Sequence, residues 1–167
     1  MSMRHLLLPA MVALVATATV SGPVHAAGPD QVQGKGSHRD EAGRVHSVDV
    51  NATDSTPGVG TDANGKLTLF VGQGFFSTDV TFKADPFCVN AQGNLGAVLG
   101  TVTEGHPDFL GQTLLVRVID NGKGKDADAF SFGFLNGTPE QAVAAGYCRP
   151  FPSDPPVPGD FDVRDRS

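Results

Sequence analysis

Two short stretches of this chain are dense enough in reactive side chains to do chemistry. The first is Asp120-Asn121-Gly122-Lys123-Gly124-Lys125-Asp126-Ala127-Asp128. Calcium takes six to eight oxygens from carboxylates, amide side chains and carbonyls. Asp120, Asn121, Asp126 and Asp128 could supply several of them from one loop. The spacing is not that of an EF-hand, because glycines stand third and fifth and no Glu stands twelfth. Lys123 and Lys125 also compete for the carboxylates. A plain hairpin turn, in which Asp and Asn bond to their own backbone, is the reading we favour.

The second stretch is Glu104-Gly105-His106-Pro107-Asp108. Glu104 with His106 could ligate zinc or copper, and His106 with Asp108 could move a proton. A zinc site gathers three or four ligands. This one would need His38 or His46 brought to it by the fold. A solvated loop between two strands explains the same residues with fewer conditions.

Other chemistries lack their parts. No Gly-x-Ser-x-Gly elbow is present, and Ser37-His38 stands in a Gly-rich segment. A two-carboxylate glycosidase wants an aromatic cleft, and sugar platforms want Trp or Tyr, yet the chain has no Trp and one Tyr, Tyr147. The eleven phenylalanines fall mostly in strand patterns and should be core. Phe70, Phe75 and Phe76 could be exceptions, and the Phe75-Phe76 pair is a candidate patch for a partner, although core or turn anchor is the reading we favour.

The compartment decides how the two cysteines are read. Met1 to His5 is short and basic, Leu6 to Val20 is apolar, and Val24-His25-Ala26 ends on a small residue. This is the layout of a secretory signal peptide cleaved after Ala26. The apolar run is shorter than the roughly 20 residues that span a bilayer. The mature chain is therefore expected to be secreted, to the cell envelope or outside, without a membrane span. In an oxidising compartment Cys88 and Cys148 read as one disulfide. The formal net charge of −6 excludes a basic nucleic-acid footprint.

The remaining sequence reads as one β-domain with flanks. Residues 27–43 are polar and Gly-rich, expected as a flexible arm with at most a short edge strand. Alternating apolar positions predict strands over 44–51, 66–71, 78–84, 95–103, 113–120 and 129–135. Pro86 lacks an N–H and predicts a bulge or an edge. Thr138, Pro139 and Gln141 predict a capped short helix ended by Gly146. Residues 149–167, rich in proline and charge, are expected as a disordered tail. The fold class is all-β: an antiparallel meander of six to seven strands in a domain over 44–148, closing as a small barrel or a two-layer sandwich.

One combination of residues goes further. Cys88-Val89-Asn90, Gly93-Asn94, Gly100-Thr101 and then Asp120-Asn121-Gly122-Lys123-Gly124 lead to Cys148. The pattern resembles a group of small exported bacterial β-rich proteins with Cys-x-Asn-x-x-Gly-Asn followed by Asp-Asn-Gly-x-Gly-x-x-Asp. The resemblance covers about 82–148. It implies an exported all-β domain with the disulfide and carries no catalytic residue over. Relatives often have Pro-Pro-Asp after the Gly-x-Gly turn, where this chain has Lys125-Asp126-Ala127-Asp128.

The sequence thus points to a secreted non-catalytic β-domain, an envelope or extracellular module with a protein or small molecule as ligand and no cofactor. Two alternatives stand beside it. One is a hydrolase-type enzyme in which Glu104, His106 and Asp108 converge with His46 or Asp49. The other is a module stabilised by calcium at the 120–128 turn.

Overall fold

The computed structural model of the protein describes residues 29–55, 62–122, 128–152 and 159–165. Eight antiparallel strands form one sheet: β1 (Asp30–Arg39), β2 (Val45–Asp54), β3 (Asn64–Val71), β4 (Val80–Gln92), β5 (Leu95–Glu104), β6 (Thr113–Ile119), β7 (Ala129–Leu135) and β8 (Gly159–Arg164). Their order is β7-β6-β5-β4-β3-β2-β1-β8, a meander whose last strand returns to lie beside the first. The sheet curls into a half-barrel. The expected all-β antiparallel meander is present, as one curled half-barrel sheet in place of the closed small barrel or two-layer sandwich, and with eight strands rather than six or seven.

The two additional strands come from the flanks. The segment expected as an arm contains β1, a ten-residue strand paired along its whole length with β2. The Pro-rich tail carries β8, paired with β1 from Gln31↔Arg164 to Gly36↔Gly159. The pattern of β1 is hidden by its glycines. Glycine replaces apolar residues at inward positions of β1, where Val32, Gly34, Gly36 and His38 face the interior. A Cβ at Gly36 would stand 2.7 Å from the Phe130 ring and 2.9 Å from the Phe161 ring. Gly34 lets the Phe161 backbone approach, and its φ of +144° suits glycine. The glycines that weaken the hydrophobic signal are the holes into which two phenylalanines fit.

The interior is one continuous core. Val48, Val50, Leu67, Leu69, Phe82, Val89, Val98, Leu114, Val116, Phe130 and Phe161 all contribute to it. A second, smaller core lies on the outer face of the sheet. There Phe87, Leu99 and Leu115 are covered by Ala142 of helix α1 (Pro139–Ala144). The helix starts as expected: Thr138 accepts from the Gln141 N–H, and the Gln141 side chain returns the bond to the Thr138 N–H. Gly146 follows at φ +80°, where the chain turns. Cys148 then meets Cys88 on β4 in a disulfide, both sulfurs fully buried. Pro86 stands at a break in register between β4 and β5, the bulge its missing N–H requires.

Candidate functional site

The barrel edge between β7 and β8 is closed by side chains. Among the described residues no backbone ladder joins these strands. Two aspartates of the β6–β7 connection reach β8 instead. Asp128 accepts from the Asn121 N–H at 2.9 Å and from the Phe161 N–H at 2.7 Å. Asp120 accepts from the Gly122 N–H at 2.8 Å and from the Val163 N–H at 3.2 Å. The N–H groups of β8 that point away from β1 would otherwise be an open edge. Asp30 does a similar job elsewhere, accepting from the Ala91 N–H at 3.1 Å. The predicted acidic cluster is therefore partly assembled. Asp120, Asn121 and Asp128 come together, but all four oxygens of the two carboxylates already accept backbone N–H groups. The Asn121 side-chain oxygen accepts from Asn94 at 3.2 Å. Asp126 lies outside the described residues.

The second predicted cluster is dispersed. Glu104 reaches across the β4–β5 register to Lys83 at 2.7 Å, on the surface. His106 caps a single 3-10 turn (Pro107–Phe109), its Nδ1 accepting from the Asp108 N–H at 3.4 Å. Its ring stacks on Phe76 with centroids 5.0 Å apart. The Asp108 carboxylate is mostly exposed and stands 3.7 Å from His106. Asp49 pairs with Lys35 at 2.7 Å on the outer face. Glu104, His106 and Asp108 do not converge with His46 or Asp49.

What the fold assembles instead is an aromatic mouth at one end of the half-barrel. A cavity of about 480 Å³ is walled by Val71, Phe75, Phe76, Phe109, Phe132 and Phe134, with Arg44 and His46 at one side. The alternation of β7 sends Phe132 and Phe134 inward. Phe109 arrives on the 3-10 turn and packs against Phe134 at 4.5 Å between centroids. Phe76 packs on both Phe82 and Phe109. Phe75 stays 64% exposed at the rim, so one large apolar ring faces water beside an apolar cavity. The expected Phe75-Phe76 pair thus divides, with Phe76 in the wall and Phe75 on the lip. A second concavity, about 520 Å³, lies on the outer face among Lys35, Ser47, Asp49, Thr68 and Phe70. It lacks the aromatic wall.

The polar side of the mouth is built by the β1–β2 hairpin. His38 and His46 are directly opposite in register, with ring centroids 5.1 Å apart. His38 meets the edge of Phe130, and His46 leans on Phe132. Asp40 in the turn accepts from the Arg44 N–H at 2.9 Å and from its Nε, and its Oδ2 lies 3.3 Å from His46 Nε2. Burial alone would push the Asp40 carboxyl up. The Arg44 backbone N–H, the Arg44 guanidinium and His46 outweigh it and hold the group down at about 2. His38 is lowered by burial first and by His46 second, against a smaller opposing pull from Asp40. The Nδ1 atoms of both histidines are buried without a hydrogen-bond partner.

Sequence reasoning missed this mouth because its parts come from five separate segments. The signals that existed were the His38/His46 positions, which an expected strand over 30–39 would have placed on one face, and the unexplained Phe75. Among the described residues no group of three His, Cys, Asp or Glu side chains gathers in metal-binding geometry. No helix in them is long and apolar enough to cross a membrane. No family model, curated protein or solved structure matches the chain.

Proposed function

We propose that this is an exported, non-catalytic β-domain that holds a small, largely apolar ligand in the aromatic mouth of its half-barrel. The observation that carries the reading is the cavity of about 480 Å³ walled by phenylalanines, with Arg44 and His46 as its polar residues. Small-molecule sites are commonly of this size, mostly apolar, with a few placed polar groups that set orientation. The exposed Phe75 supports it, since a ligand would cover that ring. The disulfide, the signal-peptide layout of residues 1–26 and the resemblance to small exported bacterial β-rich proteins support export.

The test is a titration of the oxidised protein with N-phenyl-1-naphthylamine, an apolar probe whose fluorescence rises on leaving water. The expected result is saturable enhancement with one site per chain, abolished by Phe132→Asp and retained by a substitution of the outer concavity, Phe70→Ser. No enhancement, or enhancement that Phe132→Asp leaves unchanged while the fold is intact by circular dichroism, would overturn the proposal.

A further inference from the structure

We infer that His38 and His46 form a two-imidazole site for a transition-metal ion, with copper held more tightly than zinc. Three observations meet at this pair. The register sets the two residues directly opposite on β1 and β2, both on the inner face. Their rings lie 5.1 Å apart between centroids with a 38° tilt. A metal–imidazole bond is about 2 Å long, so one ion is bracketed by two ring nitrogens about 3–4 Å apart, a separation compatible with rings whose centroids are 5.1 Å apart. Neither Nδ1 has a hydrogen-bond partner although both are buried. A buried nitrogen left without a partner calls for an ion or a water, and here two such nitrogens belong to one pair of neighbouring rings.

The surroundings prepare His46 as a ligand. Its Nε2 faces the Asp40 carboxylate at 3.3 Å, and that carboxylate is held ionised by Arg44. An Nε2–H donated to Asp40 leaves the Nδ1 lone pair free. Metal-bound histidines are usually oriented by a carboxylate on the far ring nitrogen in this way. The charged groups facing the pair are Asp40 and Arg44 from the hairpin, already paired with each other. From β7 it meets only the rings of Phe130 and Phe132. Imidazole nitrogens suit copper and zinc, and affinity rises to copper along the first-row series. Two protein ligands leave further coordination positions for water or another small ligand.

The test uses the full-length, disulfide-bonded protein carrying His5→Gln and His25→Gln, which removes the two histidines of the leader. It is titrated with copper(II) sulfate and, separately, zinc chloride in a non-coordinating buffer, by calorimetry and electron paramagnetic resonance. One equivalent of copper should bind with micromolar affinity, show coupling to two imidazole nitrogens, and exceed zinc in affinity. His38→Gln should abolish the two-nitrogen signal, and Asp40→Asn should weaken binding about tenfold or more. His106→Gln should change nothing. Circular dichroism checks that His38→Gln is folded, and His38→Ala serves as the second variant. Absence of stoichiometric copper binding, or binding that survives the loss of His38, overturns the inference.

Discussion

Replacing Asp128 by alanine tests whether a carboxylate, rather than a strand ladder, closes this half-barrel. Asp128 is 1% exposed, and its two oxygens accept from Asn121 and from Phe161 of β8. Hydrogen bonds to a charged group contribute about 1.5–3 kcal/mol each, and a buried donor left unpaired costs its desolvation. Asn121 is exposed, so water can replace that acceptor and the loss there is about 1 kcal/mol. The Phe161 bond is buried, and its loss should cost about 2–3 kcal/mol. The sum is about 3–4 kcal/mol, or a fall in Tm of about 10 °C for a domain of this size. The assay is thermal and urea unfolding of the oxidised protein by far-UV circular dichroism, since the chain has no Trp. Asp162→Asn, an exposed carboxylate on the same strand, is the control and should leave the midpoint unchanged. The same change in a chain ending at residue 158 should cost only the Asn121 share, a coupling measurable as a double-mutant cycle. A full-length cost below about 1 kcal/mol, or an equal cost in the shortened chain, would refute the carboxylate seam.

Three further outcomes follow from the packing and the charges. Cys88→Ala with Cys148→Ala opens a loop with a sequence separation of 60, and chain entropy puts the loss at about 4 kcal/mol, read by urea unfolding. Gly36→Val drives a branched side chain against the Phe130 and Phe161 rings. It should cost about 1–3 kcal/mol, whereas Gly43→Ala, with open space around it but a φ of +78°, should cost about 1 kcal/mol or less. Acid unfolding should show two limbs of different origin. Asp40 is held below its ordinary 3.8, so its stabilisation is full above that value and is lost as pH falls through about 2. His38 is also lowered, but for a base the sign reverses. The unfolded chain takes up the proton first, and stability declines as pH falls below 6.5. A pH series of melting curves should lose the upper limb in His38→Gln and the lower one in Asp40→Asn. A His38→Gln profile parallel to wild type between pH 7 and the acid limb would refute that assignment.

Much of the architecture was readable from residue types. The six central strands follow the alternation of Val, Leu and Phe because one face is buried and the other meets water. Thr138, Gln141 and Gly146 mark the helix because capping is a local bond pattern. Pro86 marks its bulge because a missing N–H has the same consequence in any sheet. The flanking strands were not readable in this way. β1 has Gly34 and Gly36 where a strand should show apolar side chains, and β8 is six residues long with Asp160, Asp162 and Arg164 on alternate positions. Their burial is decided by partners far along the chain.

The candidate sites divide along the same line. By itself the sequence determined an all-β domain, a single cysteine pair and an acidic turn, since each depends on local composition or on chemistry within a few residues. Only the tertiary structure decided that Asp120 and Asp128 turn toward β8, 43 and 33 residues away from the N–H groups they bind. It likewise set His38 opposite His46 and drew Phe76, Phe109 and Phe132 into one wall. The curl of the sheet brings these residues together. It results from the packing of the whole inner face, so no short stretch of sequence carries a sign of it.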